Sequence, residues 1–377
     1  MWSIAAVCAT KPAPQRNATA KRSASALWVL LSIADRSWLR HRVLPSGVNV
    51  THIAPDLSDS KIMRFVCGIR PCRSGGLRLE PERVAGIDVV HNYGHGGCGV
   101  TLALGCAQAV LDSVRDKVGP DQGRVAVLGG GVTGLASARA LLRAGFQVSV
   151  HASSFAGDTT SNIAGALWLP TGIDFPDPGP QRDAFNGYIR RSHDAMGELK
   201  GEKWGISSLP VFEPEFTEFH SEYFESGAIN QPRPWTSEDG DVPGFRGGRV
   251  FTTYFIDTPR FIAELYREVV ELGGTVVPAT ISSLADVTAI DASVVVNSLA
   301  MGSRSLFGDD QVFPARGLLV HMQPQDLGYI YHDGYRYMFP RSDALILGGT
   351  YEPGVNEPPE TDEPFLEIIE RHRARFA

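Results

Sequence analysis

The feature that most restricts this chain is the run Gly129-x-Gly131-x-x-Gly134, set between a buried-strand pattern, Arg124 to Leu128, and a helical pattern, Val132 to Arg143. Gly145 stops that helix, and Gln147 to Val150 forms the next strand pattern. A β-α-β unit built this way needs glycine three times: for the tight turn, for backbone approach to a pyrophosphate, and for close packing of helix on strand. The helix start then offers unpaired N–H groups and a positive dipole end to phosphate. Gly129, Gly131, Val132, Thr133 and Gly134 are therefore candidate dinucleotide contacts, against the plainer reading of a structural βα turn. A carboxylate roughly 20 residues further on usually binds the ribose hydroxyls. Here the second strand ends His151-Ala152-Ser153, so Ser153 takes that place without a carboxylate's charge. No arginine stands there to favour a 2′-phosphate.

Composition narrows the partners. The 377 residues carry a net charge of −7, with 43% hydrophobic and 20% charged residues. A phosphate backbone or an anionic membrane needs a dense basic field, so nucleic-acid and membrane binding are disfavoured and small-molecule chemistry is expected. The cysteines, Cys8, Cys67, Cys72, Cys98 and Cys106, fall in no CxxC spacing, which predicts neither a disulfide framework nor a metal site. Ala26 to Ala34 is apolar behind Lys21 and Arg22 but too short to span a bilayer, and the region before it is long for a signal sequence. Residues 1 to about 50 lack periodicity and read as an extension outside the core fold.

Elsewhere the patterns alternate between strands and helices. His52 to Pro71, Leu77 to Glu80 and Asp88 to His91 read as strands. Leu102 to Val118 has one apolar face and stops at Gly119-Pro120. Thr258-Pro259 suits a helix start, with Thr258 as N-cap, running to Leu272 before Gly273-Gly274. Thr275 to Val277 and Ser293 to Asn297 are strands, and the chain closes on the helical PFLEIIERHRARFA. The fold class is α/β: a Rossmann-like βαβ domain with a second, mixed-sheet domain.

Four segments carry a family resemblance. HNYGHGGCGVT (His91 to Thr101), preceded by GIRPCR (Gly68 to Arg73) and LRLE, resembles the closing signature of FAD-dependent D-amino-acid oxidases. TTSNIAGALWLP (Thr159 to Pro170) resembles their flavin-contacting loop, and YRYMFPRSDALILGG (Tyr335 to Gly349) their active-site strand pair. In that family the glycine motif opens the chain and HNYGHGG closes it, whereas here the closing segment comes first. The resemblance thus implies a circularly permuted order: residues 52 to 118 as the family's C-terminal part, a linker at 119 to 123, and 124 to 377 as the nucleotide unit plus substrate domain.

What the resemblance implies about chemistry is specific. FAD would be held by the glycine turn and by Ser153, Thr160, Ser161, Gly165, Ala166, Leu167, Ile281, Gly96, Gly97, Gly99, Val100 and Thr101. Arg70 matches the substrate-carboxylate arginine, Tyr337 a tyrosine that binds the same carboxylate, and Gly97 the carbonyl that accepts from the substrate amine. A guanidinium suits the carboxylate role because it grips two oxygens in parallel. The implied reaction is oxidation of a D-amino acid by O2 through FAD, yielding a 2-oxo acid, ammonia and hydrogen peroxide. Three departures bear on it. Asp333 replaces a second tyrosine, between Tyr331 and Tyr335; Cys98 replaces an aromatic; and Ser298-Leu299-Ala300 replaces Cys-Thr-Gly beside the cofactor. A catalytically inactive flavoprotein and an NAD-dependent dehydrogenase are the competing readings, and His91 and His95 read as structural. Arg336 or Arg341 would serve an acidic substrate only by facing inward. A homodimer is compatible, and Arg375-Phe376-Ala377 in place of Ser-Lys-Leu leaves the location open between cytoplasm and peroxisome.

Overall fold

A strand buried on both faces must be covered on both faces, and β5 (Arg124–Gly130), buried from Val125 onward, sets that requirement. The computed structural model describes residues 7–12, 51–121, 123–165, 167–214 and 219–377. In the sheet around β5 the strands lie in the order β10 (Thr275–Pro278), β6 (Gln147–Phe155), β5, β11 (Val294–Asn297), β4 (Ile87–Tyr93) and β3 (Arg78–Val84). All neighbours are parallel except the β3–β4 hairpin. Helices α1 (Gly99–Arg115), α2 (Val132–Arg143) and α4 (Thr258–Glu271) pack on one face, with α3 (Pro180–Leu199) against α1. Short helices α5 (Leu284–Thr288) and α6 (Gly302–Phe307) close the other, where Val287 and Leu306 bury against Val89, Ala126 and Val295. The result is the Rossmann-like layering expected of the glycine motif.

The second sheet runs β1 (Val7–Pro12), β2 (Ile62–Arg73), β12 (Val312–Met322), β15 (Leu345–Gly348), β14 (Arg336–Pro340), β13 (Ile330–Asp333), β7 (Ile206–Pro214), β9 (Gly248–Ile256) and β8 (Arg233–Pro234), with β16 (Glu352–Pro353) added to β12. It is mixed, since β13 and β7 are parallel and the other pairs antiparallel. Alternation along β2 divides its side chains between two cores. Phe65, Cys67 and Ile69 turn to α7 (Glu363–Phe376), where Phe65 stacks on Phe365 at 4.8 Å. Val66, Gly68 and Arg70 turn the other way, Val66 into the core shared with the first sheet.

Several boundaries differ from the sequence reading. Helix α1 begins at Gly99 rather than Leu102 and ends at Arg115, its last turn tightening as the Lys117 and Val118 amides both donate to Val114 O. Asp257, not Thr258, is the N-cap of α4, because the Thr258 hydroxyl donates to Ala164 O at 3.1 Å. Within the first 50 residues, Val7–Pro12 pairs antiparallel with β2, aligning Val7 with Gly68 and Pro12 with Arg64; the rest of that extension lies outside the described residues. Stretches from before and after residues 119–123 interleave in both sheets, β4 beside β11 and β2 beside β12. The end of α7 also meets the start of the 52–118 stretch, Arg373 donating to Leu57 O at 2.9 and 2.6 Å.

Two buried histidines make stability depend on pH. His321, 2% exposed, accepts from Arg64 Nε at 3.2 Å, and burial together with the Arg341 and Arg64 charges pushes its pKa down to about 3. Burial alone takes His95 to about 4. Both are bases with folded values below 6.5, so their neutral forms stabilise the fold fully above pH 6.5, and the contribution is lost as pH falls toward 4 and then 3. At pH 5 the loss is about 2 kcal/mol per histidine. Urea midpoints measured between pH 7 and 5 should fall accordingly, and less steeply in His321→Gln.

Candidate active site

Because β4→α1 and β5→α2 are successive parallel units, the two helices start side by side at the carboxyl edge of the sheet. Gly131 is the N-cap of α2, extended at φ −81, ψ −176, and has no side chain of its own to cap the turn. A Cβ on Gly134 would overlap Gly129 O, so only glycine lets the helix sit this close to the strand. Helix α1 starts from Cys98, again without a side-chain cap, and Gly99 faces Val132. Ahead of it a Cβ on Gly96 would overlap Gly172 O, which accepts from the Gly97 amide at 2.8 Å. Thr101 donates to Leu169 O at 3.2 Å, with Val100 before it in the first turn. Two helix starts side by side, neither capped by its own N-cap side chain, form a positive cradle for an anion.

The residues fit a flavin dinucleotide unequally. Bare Gly131 and the amides behind it suit a pyrophosphate. Asn92 Oδ1, His95 Nε2 and Ser298 Oγ are buried at this edge with no hydrogen-bond partner, so polar capacity is left over. Ser153 is exposed at the end of β6 and supplies no carboxylate. Ile281 lies with Ser149, His151 and Thr280 around a cavity of ≈ 550 Å³ beside β6 and β10. Ala300, where the resemblance expects glycine, holds φ 55, in the left-handed region that an L side chain adopts only at a cost.

The loop 159–165 joins this edge to the second sheet. Ser161 Oγ accepts from the Val132 amide at 3.1 Å, beside Thr160 and Thr133. Ile163 packs on Gly68, and a Cβ on Gly165 would overlap the Phe339 ring. Arg341, 2% exposed, locks the loop: Nη1 donates to Asn162 O (3.2 Å), Ala164 O (3.0 Å) and Thr258 Oγ1 (3.0 Å), while Nε and Nη2 bind the Asp343 carboxylate. Ala166 lies outside the described residues, and Leu167 bridges to Phe255 on β9.

Arg70 and Tyr337 meet on the inner face of the second sheet. The guanidinium donates to Thr350 O at 3.2 Å and lies over Gly317, where any Cβ would overlap it. Burial pushes the Tyr337 hydroxyl up, opposed by the charge and hydrogen bond of Arg70. The Tyr337 ring covers Gly348, stacks on Phe339 at 4.4 Å and comes near Gly165. Tyr351 lies 5.9 Å from the Arg70 guanidinium carbon and stacks on Tyr335 at 5.3 Å.

The departures noted in the sequence also find places. Asp333 pairs with Arg336 at 2.6 Å, and the β13–β14 connection is the two-residue turn Gly334-Tyr335. Tyr331 points to the opposite face, against Phe245 and Phe376. Neither Arg336 nor Arg341 offers a free cation inward. His91 is buried between Glu82 and Asn297, at 2.8 and 3.0 Å. Gly317 and Thr350 escaped the sequence reading, as did the loop-locking contacts of Arg341, which the sequence offers only as a cation for an acidic substrate. Nothing in their local pattern marks them, although Thr350 directly follows the recognised LGG strand.

Residues 124–377, more than half the chain, match the family described as FAD dependent oxidoreductase. The chain belongs to this family, the DAO family. Among curated relatives it is 31% identical to a D-amino-acid oxidase of Rubrobacter xylanophilus over 267 residues, covering 64% of this chain and 75% of that one. It is 27% identical to a human D-aspartate oxidase over 242 residues, covering 62% and 70%. Among solved structures, an L-amino acid deaminase from Proteus vulgaris gives a TM-score of 0.44 at 13% identity, covering 61% of each chain. The amino acid oxidase NikD gives 0.43 at 14%, covering 67% of this chain and 77% of that one. As a DAO-family member the chain is an FAD-dependent oxidoreductase, which removes the nicotinamide reading.

Two outcomes follow from the cofactor edge. Gly131→Val should abolish FAD retention, measured as bound flavin absorbance after gel filtration, because the side chain fills the space beside Ser161 that the cofactor's phosphates need. Ala300→Gly should raise stability by about 0.5–1 kcal/mol, read from denaturant midpoints, by relieving the left-handed backbone.

Proposed function

We propose that this chain oxidises D-amino acids with FAD and O2 to 2-oxo acids, ammonia and hydrogen peroxide. The observation that carries the reading is the pairing of Arg70 with Tyr337: a guanidinium that donates to one backbone carbonyl and lies with the Tyr337 hydroxyl and the Tyr351 ring, on the face toward the loop 159–165. Such a pair holds a carboxylate through the arginine's parallel donors and the hydroxyl. Bound FAD supplies a two-electron acceptor whose reduced form oxygen reoxidises, giving peroxide. The protein's part is orientation and exclusion of water: Arg70 and Tyr337 fix the carboxylate, and the Gly97 carbonyl accepts from the amine. No side-chain acid or base is required beyond loss of one ammonium proton, and the imino acid product hydrolyses in water. His91, spent on Glu82 and Asn297, takes no part.

The permuted order is part of the proposal. Its support is the interleaving of residues 52–118 with 124–377 in both sheets, and the seating of Arg373 on Leu57. The eight residues 116–123 lie between α1 and β5, enough to reach at most about 28 Å.

Arg70→Ala tests the assignment. Loss of the bidentate contact should lower kcat/KM for D-alanine or D-proline roughly a hundredfold, about 3 kcal/mol, mostly through KM, with flavin content retained. Lysine should recover only part of that. Peroxide production is the assay, with L-enantiomers as controls. An FAD-loaded wild type that makes no peroxide from any D-amino acid, or an Arg70→Ala variant as active as wild type, would leave a non-catalytic flavoprotein instead.

A further inference from the structure

Three fully buried polar side chains, His91, Asn297 and Ser303, meet where the turn after β11 packs on the glycine turn. Asn297 is the last residue of β11, which runs parallel between β5 and β4 and sets Asn297 level with Leu128 and His91. The Ser298 amide donates to Leu128 O at 2.8 Å, and a Cβ on Gly129 would overlap Ser298 O. Ala300, closing the same turn, holds φ 55, a left-handed backbone that persists only where its surroundings hold it.

Asn297 does that holding. Its Oδ1 accepts from the Leu299 amide at 3.1 Å and from the Ser303 hydroxyl at 3.2 Å. A backbone amide can only donate, so the side-chain oxygen faces it and Nδ2 faces His91. Nδ2 donates to His91 Nδ1 at 3.0 Å. That ring nitrogen therefore carries a lone pair, and the imidazole's one proton is on Nε2, 2.8 Å from Glu82 Oε2. Glu82 also accepts from Arg78 Nη2 at 3.0 Å. A second proton, on Nδ1, would point at an amide nitrogen. To accept it, Asn297 would have to turn its oxygen away from Leu299 and Ser303 and so release the turn. The groups around His91 are Glu82, Glu80 and Arg78 from β3, Tyr93 on its own strand, Phe307 from α6 and Asn297 from β11. Burial holds its pKa below the ordinary value, against the pull of Glu82.

We propose that His91 is a positioning residue for the cofactor: as a neutral imidazole it holds Asn297, Asn297 holds the turn 298–300 against the glycine turn, and protonation of His91 weakens FAD binding. This rests on the glycine turn as the seat of FAD and adds that affinity there is coupled to the charge of a residue outside it.

The test is the FAD Kd between pH 7.5 and 5, read as free flavin separated by ultrafiltration from diluted holoenzyme. In wild type the Kd should rise severalfold as the pH falls, toward the roughly tenfold that one lost hydrogen bond implies. His95 and His321 titrate in every variant, so differences between variants belong to His91. His91→Asn puts an acceptor oxygen where Nδ1 stands and takes up no proton, so its Kd should stay flat. His91→Leu, with no acceptor, should raise the Kd about tenfold at pH 7.5. Asn297→Asp keeps one oxygen on Leu299 and Ser303 and turns the other to Nδ1, which calls for the doubly protonated ring between two carboxylates. Its slope should reverse, with FAD held at pH 5 and affinity falling as the pH rises above neutrality. If that variant fails to fold, the slopes of wild type and His91→Asn decide alone. A pH-flat wild type, or both variants keeping the wild-type slope, would overturn the role of His91 while FAD binding stands. FAD retained by Gly131→Val would instead remove the glycine turn as the seat, and the proposal with it.

Discussion

A guanidinium taken out of water must have its donors satisfied, and Arg341 shows where this fold concentrates that requirement. Its acceptors come from three places: the loop 159–165, the first turn of α4, and Asp343 in the turn between β14 and β15. Held there, the loop can present Ser161 to the start of α2, set Ile163 on β2, and bring Gly165 under Phe339 and near Tyr337. The glycine-turn edge of one sheet and the Arg70–Tyr337 pair of the other are thus joined by a loop that one buried charge holds.

The second constraint is close approach of backbone to backbone and ring to backbone. Glycines 134, 96, 317, 348 and 165 each stand where a Cβ would overlap Gly129 O, Gly172 O, the Arg70 guanidinium, the Tyr337 ring or the Phe339 ring. Most of these are not turn glycines. They are missing side chains that make room for a neighbouring carbonyl, ring or guanidinium. Gly317 is the clearest case, since the space it vacates is filled by the Arg70 guanidinium.

The fold was legible where period and punctuation coincide. The β5–α2–β6 unit carries a buried strand, three glycines and an amphipathic helix in one local stretch, and the observed helix α2 spans the residues the pattern marks, Val132–Arg143. The start of α1 was placed three residues late, because Gly99 reads as turn while the backbone there is already helical. Thr258 looked like a cap because its type suits one, but its hydroxyl is drawn to Ala164 O, 94 positions away. The strand at Val7–Pro12 had no periodic signal of its own, and its pairing comes from the open edge of β2.

Sequence by itself determined the cofactor class, through local glycine chemistry and the matching segments, and it singled out Arg70 and Tyr337 as residues whose types suit a carboxylate. It also showed that Ser153 brings no charge to the ribose position. Only the tertiary structure decided what those residues meet. Arg70 lies over Gly317, 247 positions on in sequence; Arg341 and Arg336 are consumed by Asp343 and Asp333; and His332 is fixed by a glutamate on a parallel strand. The physical reason is that a sheet places side by side residues that are far apart along the chain. Whether a charged side chain is spent or available depends on those neighbours and not on its own type.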